Sequence, residues 1–540
     1  MPTKYIIVNG GVISGVGKGI ITASIGKILQ QYGFTVTAVK IDPYINVDAG
    51  TLRPTEHGET WVTYDGGEID QDIGNYERFL NMKLPKINSI TTGQIYKSVI
   101  EKERNGMYHG ATVQYIPHIT DEVKDRIIFA STNDNGDPYD FVLVEIGGIV
   151  GDYENIPFLA GTKSLESQIG KENILYTLVT YMPIPSHLGE MKTKPTQTAI
   201  RALMECGIIP DIILCRGKDF LDDVRKKKIE TYVNINKEYV ISVPDTDSIY
   251  KVPLILEDQL LAHKIFAKLN VIPKTKPDWN QWNMLIDNIL TSKKEVTVSI
   301  VCKYLNLGNY QVTDSYLSVA ESLKHAGAHL NLKVNINWVN SDSLSDVNLN
   351  EKLIGGIIIP GGFGSHGIDG KILAIKHARI NNIPFLGLCY GMQLAVVEYA
   401  RNVHGMLDAH TTEVNPNTSY PVVCILENQA GVTQIGGTLR LGEYQSSLVK
   451  DSIVSKLYDS SQAVERHRHR YEVNPDYVNK IKDDNLLFSG WYIDDNSSQL
   501  MEFLELRNNK FFVATQSHPE LTSSLTTPNP LFVGFLKALI

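Results

Sequence analysis

Apolar positions along the chain fall into two alternating rhythms, short continuous runs and longer stretches at helical spacing. Residues 5–8 form an apolar run bounded by turn residues and read as a buried strand. Residues 20–31 place apolar side chains at helical spacing and stop at Gly33. A strand pattern returns over 35–44, ending in polar residues, and again over 141–148, where the buried run ends in Glu145. The alternation persists from Lys4 to about Leu269 and predicts an α/β domain with a mainly parallel sheet. Residues 270–294 interrupt it with Pro273, Pro277 and charges, marking a linker whose Trp279 and Trp282 are expected to pack on a domain surface. A second domain is expected over 295–540, opening with a strand at 296–304. Further strand ends fall in 357–364, 385–393 and 512–520. The first domain is accordingly bounded at 1–269.

Composition narrows the class. A 540-residue chain holds about two to four domains. Its 43% apolar and 21% charged residues are ordinary for a soluble globular protein. The net charge of −9 argues against nonspecific binding to nucleic acid or to a membrane surface. No apolar run approaches the roughly 18 residues of a membrane span, and no secretory apolar region precedes the first glycine loop. The five cysteines include no Cys-x-x-Cys pair, which fits a reducing cytoplasm and excludes a disulfide framework or cysteine zinc site. A cytoplasmic location is expected.

The candidate chemistry of the first half begins at residues 8–19, rich in glycine between strand and helix. Such a loop turns backbone N–H groups inward, the helix N-terminus adds partial positive charge, and Lys18 reaches outer phosphates. The generic phosphate-loop pattern wants glycine where Val12 stands and a hydroxyl where Gly19 stands. Lys40 and Asp42 lie at the carboxyl end of the next strand, where ligands of open α/β sheets collect. The acidic stretch 57–72 reads either as a solvated loop or as part of the same site. Because Gly19 supplies no hydroxyl to a metal, carboxylates must do more, and Asp72 and Glu145 are the candidate ligands. Lys192 and Lys194 flank the start of a helix expected from Thr198, forming a second anion site or a charged cap. The basic run 225–228 is either a further phosphate contact or a solvated helix face. Two phosphate-binding places suggest two nucleotides.

In the second half, residues 357–364 end a strand in a glycine turn able to point N–H groups at an oxyanion. Residues 385–393 carry Gly-x-Cys-x-Gly between a strand and a helix, the nucleophile-elbow arrangement with Cys389 as nucleophile. The helix N-terminus favours the thiolate and supplies an N–H to an oxyanion. His518, with Glu520 two residues on, supplies a base and the carboxylate that orients it. The His/Arg run 466–470 is short, lies in an acidic chain and lacks interleaved aromatics, which argues against nucleic acid. It can supply the one arginine a substrate carboxylate needs.

Residues 8–19, 40–44, 65–72, 111–114, 116–120, 144–148 and 192–197 together resemble the synthetase domain of the CTP synthase family. Residues 360–364, 385–393, 466–474 and 512–520, with Glu413, resemble a class I glutamine amidotransferase domain. The resemblance implies a P-loop/Rossmann-like α/β domain followed by a flavodoxin-like α/β domain, each with a mainly parallel sheet. It implies an ATP-dependent ligase of pyrimidine biosynthesis that aminates UTP to CTP through a 4-phosphorylated intermediate, with ammonia from L-glutamine. By the same resemblance ATP is held by Gly15, Val16, Gly17, Lys18, Gly19, Ile20, Asp72 and Thr246, and Mg²⁺ by Asp72 and Glu145. UTP is assigned Ser14, Lys192, Thr193, Lys194, Pro195, Thr196, Gln197 and Lys228. CTP, as feedback inhibitor, shares the triphosphate pocket and adds Asp152, Tyr153 and Glu154. Glutamine is assigned Gly362, Tyr390, Gly391, Met392, Gln393, Glu413 and Arg470. Tyr390 stands where the family more often has leucine, and Pro244-Asp245-Thr246 where it has a different adenine loop. The family further implies GTP as allosteric activator, a homotetramer and filaments. The alternatives are another glutamine-dependent ligase with the same domain pair and a non-catalytic filament-forming homologue.

Overall fold

The computed structural model describes residues 1–303, 305–307, 310–311, 314–425, 437–494 and 497–540. The chain divides into two compact units, Met1–Ala49 with Asp72–Gln281, and Gly50–Gln71 with Trp282–Ile540.

The first unit is built on a seven-stranded sheet whose spatial order is Ser89–Thr91, Val36–Asp42, Phe141–Ile146, Lys4–Gly10, Ile174–Tyr181, Ile212–Gly217, Val240–Pro244. Every pairing in it is parallel. Lys4–Gly10 and Val36–Asp42 are buried along their whole length, as strands covered by helices on both faces must be. Register places Glu145 beside both Val8 and Lys40, so one strand end gathers an acid and a base. The helix Lys18–Gln31 follows directly, and its Gly26 lets the helix approach Leu80 and Leu143 more closely than a side chain would allow. The helix expected from Thr198 starts earlier, at Lys194, because Pro195 in its first turn has φ already set for a helix.

The second unit carries a nine-stranded sheet. Leu332–Asn340, Lys294–Cys302, Gly356–Ile359, Phe385–Leu388 and Phe512–Thr515 run parallel. Gln499–Leu506, Leu486–Ile493, Arg440–Leu448 and Gln462–His469 continue it antiparallel. The first strand begins at Lys294; its expected end at Tyr304 lies outside the described residues. The expected linker is partly ordered as the helix Asn280–Thr291, in which Trp282 is buried.

Residues 50–71 depart from the expected boundary at 269. They belong to the second unit, although sequence order places them inside the first. Trp61–Val62 and Glu68–Ile69 pair as a small antiparallel ribbon, and Trp61, Val62, Thr63, Glu68 and Ile69 are all buried. The solvated-loop alternative therefore fails for this ribbon. Acidic composition concealed it because Glu68 is neutralised from far along the chain, by Arg468 at 2.8 Å.

Candidate functional sites

In the first unit the glycine loop follows the central strand, with Ser14 and Gly15 exposed at its tip. Gly15 and Gly17 have φ of 70° and 91°, and so does Val12 at 79°. A β-branched residue is strained there, which explains why the generic pattern prefers glycine. Lys18 is buried and donates to the Gly148 carbonyl at 2.8 Å. Burial lowers its pKa, and neighbouring Lys40 lowers it further, against the pull of Glu145, Asp72 and Asp42.

Lys40 Nζ sits among three carboxylates, bonded to Asp72 and 3.5 and 3.6 Å from Asp42 and Glu145. Burial pushes the Glu145 carboxyl up, and Tyr76 donates to it. Burial would raise Asp72 too, but Lys40 outweighs it and holds the carboxyl below its usual range. A Cβ on Gly19 would overlap the Asp72 carboxylate. The missing hydroxyl and the nearby acid are thus one feature: Asp72 fills the volume a serine or threonine would take. Arg216, at the end of Ile212–Gly217, comes within 3.6 Å of where a Gly17 side chain would begin. Its signal in the sequence is only that of a basic residue at a strand's carboxyl end.

The second anion region is less collected. Thr193, Thr196 and Gln197 are buried at the helix start, with Thr196 and Thr180 hydroxyls 3.0 Å apart. Lys192 pairs with Glu190, and Lys194 lies over the Tyr232 ring. Lys228, Gln197 and Tyr232 line one shallow depression. Asp152, Tyr153 and Glu154 are exposed, and Tyr153 and Glu154 line an apolar hollow with Ile45, Tyr115 and Ile116. Thr246 bonds to its neighbours Asp247 and Ser248.

In the second unit, Cys389 sits between Phe385–Leu388 and the helix Tyr390–Asn402 at φ 48°, ψ −99°. Gly391 is required, because a Cβ there would overlap the Ile359 carbonyl, and Gly387 is tightly packed, a Cβ there lying 3.0 Å from Gly391 and Ala514. The Cys389 N–H donates to Thr515 at 2.7 Å, tying the elbow to the strand that leads to His518. His518 Nδ1 is 2.7 Å from Glu520 Oε1, and its Nε2 has no nitrogen or oxygen partner among the described residues. Burial alone would lower the imidazole pKa. The facing Cys389 and Glu520 charges outweigh it and hold it well above its ordinary value. Cys389, His518, Glu520, Gly361 and Gly362 line one cleft with Phe363 and Arg468. Pro54, Glu59 and Thr60 of the 50–71 segment line it too. Glu59 accepts from the Ser318 N–H at 3.0 Å, anchoring that segment to a helix start.

The remaining glutamine-pocket candidates, Tyr390, Gly391, Met392, Gln393, Glu413 and Arg470, are not among the residues that line this cleft. Glu413, its carboxyl raised by burial, accepts from the Gly364 N–H at 2.5 Å. Tyr390 donates to the Gly364 carbonyl at 2.9 Å, so the residue that departs from the family pattern braces the glycine turn. Arg470 bonds to Thr438 at 2.6 Å. Met392 is packed in the core, and Gln393 is buried beside it. Two lysines that sequence did not single out, Lys303 and Lys371, lie 5.3 and 5.6 Å from the Tyr390 ring centre. Burial brings their pKa values down to about 8 and about 7.

Residues 462–469 alternate between two environments. Arg466 and Arg468 hold the inserted segment: Arg466 donates to the Val62 carbonyl at 3.0 Å, and Arg468 to Glu68 and Gly50. His467 and His469 point into a buried cluster with Arg440, Glu472 and Glu502. Burial, then the Arg440 charge, pushes both imidazoles well below their usual pKa. The strand's backbone also reaches the cleft: the Arg466 carbonyl accepts from His518 N–H at 2.7 Å, and the Arg468 carbonyl lies 3.8 Å from Cys389 Sγ.

Residues 4–271 match the family described as CTP synthase N-terminus, and residues 311–538 match glutamine amidotransferase class I. The CTP synthase of Methanocaldococcus jannaschii is 47% identical, covering 99% of this chain and 98% of its own length. That of Saccharolobus solfataricus is also 47% identical, covering 100% and 99%. Among solved structures, the glutaminase domain of Trypanosoma brucei CTPS with bound acivicin is 36% identical. It covers 45% of this chain and 93% of that one with a TM-score of 0.41. With two relatives so similar from end to end, and both halves matched in order, the chain belongs to the CTP synthase family.

Proposed function

We propose that this chain forms CTP from UTP, ATP and L-glutamine, with separate chemistries in its two units. In the second, His518 takes the Cys389 proton while Glu520 fixes its tautomer, and the sulfur attacks the glutamine side-chain amide. The glycine turn 361–364 and the Tyr390 N–H at the helix start would supply the donors to the developing oxyanion. Water then clears the thioester after ammonia leaves. Arg470 and Glu413 would hold the carboxylate and ammonium ends of glutamine, with Gly362, Tyr390, Gly391, Met392 and Gln393 shaping the pocket.

In the first unit the loop 14–20, with Lys18, would hold ATP phosphates, and Thr246 would lie near the adenine. Thr193, Thr196, Gln197, Lys192, Lys194, Pro195 and Lys228 would take UTP. Phosphorylation of the uracil 4-oxygen makes it a leaving group, and ammonia displaces it. Asp72 and Glu145 fit a magnesium ion: both are carboxylates at the phosphate loop, and Asp72 occupies the space that Gly19 leaves open. Magnesium usually takes only one or two carboxylates besides phosphates and water, and when bound it would neutralise charge on the transferred phosphoryl group. Lys40 would then give up its pairing with Asp72. CTP inhibition through Asp152, Tyr153 and Glu154, activation by GTP, a homotetramer, filaments and a cytoplasmic location complete the reading.

The observation that carries it is the presence on one chain of a lysine-bearing phosphate loop with paired acids and a cysteine elbow with a His518–Glu520 pair. CTP formation should be measured with glutamine and with ammonium chloride, for the wild type and Cys389→Ala. The wild type is expected to use both nitrogen sources and the variant ammonia alone. A folded wild type that makes no CTP from either source would overturn the proposal.

A further inference from the structure

Cys389 Sγ has a second polar neighbour besides the catalytic pair. Gln516, fully buried two residues before His518, directs its side-chain Nε2 at the sulfur from 3.8 Å. Its backbone N–H is fixed by donation to the Glu502 carbonyl at 2.9 Å. The orientation of its amide follows from the groups behind it. The Tyr471 carbonyl can only accept, so Gln393 must present its NH₂ there, at 2.9 Å. The same NH₂ faces Gln516 Oε1 at 3.4 Å, which leaves the Gln516 NH₂ as the end aimed at sulfur. Tyr471, Gln393, Gln516 and Cys389 thus form one polarised row, with an obligatory acceptor at one end and the nucleophile at the other.

We propose that Gln516 is a further catalytic residue of glutamine hydrolysis, a neutral hydrogen-bond donor that stabilises the anionic sulfur of Cys389. The inference rests on Cys389 being the nucleophile. The thiol form has its own acceptor, the Arg468 carbonyl at 3.8 Å, so the two protonation states have different partners. Among the described residues, the charged groups coupled to Cys389 include His518, backed by Glu520, and Lys371 from the helix Ile368–Ile380. Gln516 differs from them in adding no titrating proton, so it favours the thiolate at every pH. Gln516 is fully buried, and the low local dielectric strengthens the contact.

The test is the rate of iodoacetamide alkylation of Cys389 in the full-length protein, read by peptide mass spectrometry against pH. In Gln516→Met, which keeps length but removes the donor, the midpoint is expected about one pH unit higher than in wild type. Alkylation below the midpoint should fall about tenfold. Gln393→Met, which frees the Gln516 amide to turn, should shift it in the same direction by less, and carries the test if the first variant does not fold. A purely structural role would lower alkylation equally at all pH values. Profiles that superimpose on wild type after scaling, in whichever variant folds, overturn the proposal. If Cys389 in the wild type reacts no faster than Cys206 or Cys424, the nucleophile assignment fails, a result distinct from an unshifted profile.

Discussion

Gly19 and Asp72 share one volume: a side chain at residue 19 would occupy the space that the Asp72 carboxylate now fills. A departure from the generic phosphate-loop pattern is thereby matched by an acid 53 positions later. Gly19→Ser, which restores the generic hydroxyl, is expected to displace Asp72 from Lys40. CTP formation with ammonia should fall at least about tenfold, because displacing a catalytic group by about 1 Å can cost two orders of magnitude. Alkylation of Cys389 serves as the control and should be unchanged. Wild-type synthesis in Gly19→Ser would show that Asp72 is not held where the reaction needs it.

The elements that chemistry demands locally were legible in the sequence. The strand–glycine–helix at 4–31, the elbow at Cys389 and the pair His518–Glu520 are each specified by neighbours a few residues away. Less legible were features made by distant partners. Nothing in residues 50–71 announces that Glu68 meets Arg468 or that Glu59 caps a helix start at Ser318. Gln516 reads as one polar residue in a strand end until Gln393 and Cys389 are brought to it. The Gly/Val exchange at residue 12 was visible as a mismatch, but only the φ of 79° shows what it costs the backbone.

Glu520 is one of two charges that keep His518 protonated above its ordinary range. A raised histidine pKa contributes stability that is full below the unfolded value of about 6.5 and is lost as pH rises through the folded value. Glu520→Gln should therefore destabilise the second unit more at pH 6 than at pH 9, as thermal melts can show. The alkaline limb of glutamine hydrolysis should move to lower pH, because the imidazolium loses its proton sooner. Equal destabilisation at both pH values would mean that the carboxylate acts only by packing.

Lys371 works in the opposite sense. It is fully buried, its Nζ has no hydrogen-bond partner among the described residues, and burial followed by the Lys303 charge brings its pKa to about 7. Between that value and its ordinary 10.5 the unfolded chain binds the extra proton, so stability from this group rises with pH across that window. Lys371→Met should raise the melting temperature at pH 7, and the gain should shrink towards pH 10. In a domain of this size each kcal/mol is worth about 2–4 °C. A gain independent of pH would place the effect in packing instead of protonation.

Residues 50–71 support the second unit through Glu68. Glu68 is almost fully buried, accepts from Arg468 Nε at 2.8 Å and also accepts from the Gly437 N–H at 3.2 Å. Glu68→Ala strands the Arg468 guanidinium beside Gly50 and Phe363 with one acceptor fewer. Leaving a largely buried charge without its partner costs about 3 kcal/mol or more. The loss should appear in the cooperative unfolding of the unit that carries Cys389, although residue 68 lies within the sequence match to the other half. Hydrogen exchange resolves the two: protection should drop in Gln462–His469 and in Phe385–Leu388, while Lys4–Gly10 and Val36–Asp42 keep theirs. Glutamine hydrolysis should weaken in step, since Arg468 lines the cleft and its carbonyl faces the Cys389 sulfur. Loss of protection centred on Lys4–Gly10 would instead return the segment to the first unit, where sequence order alone would have put it.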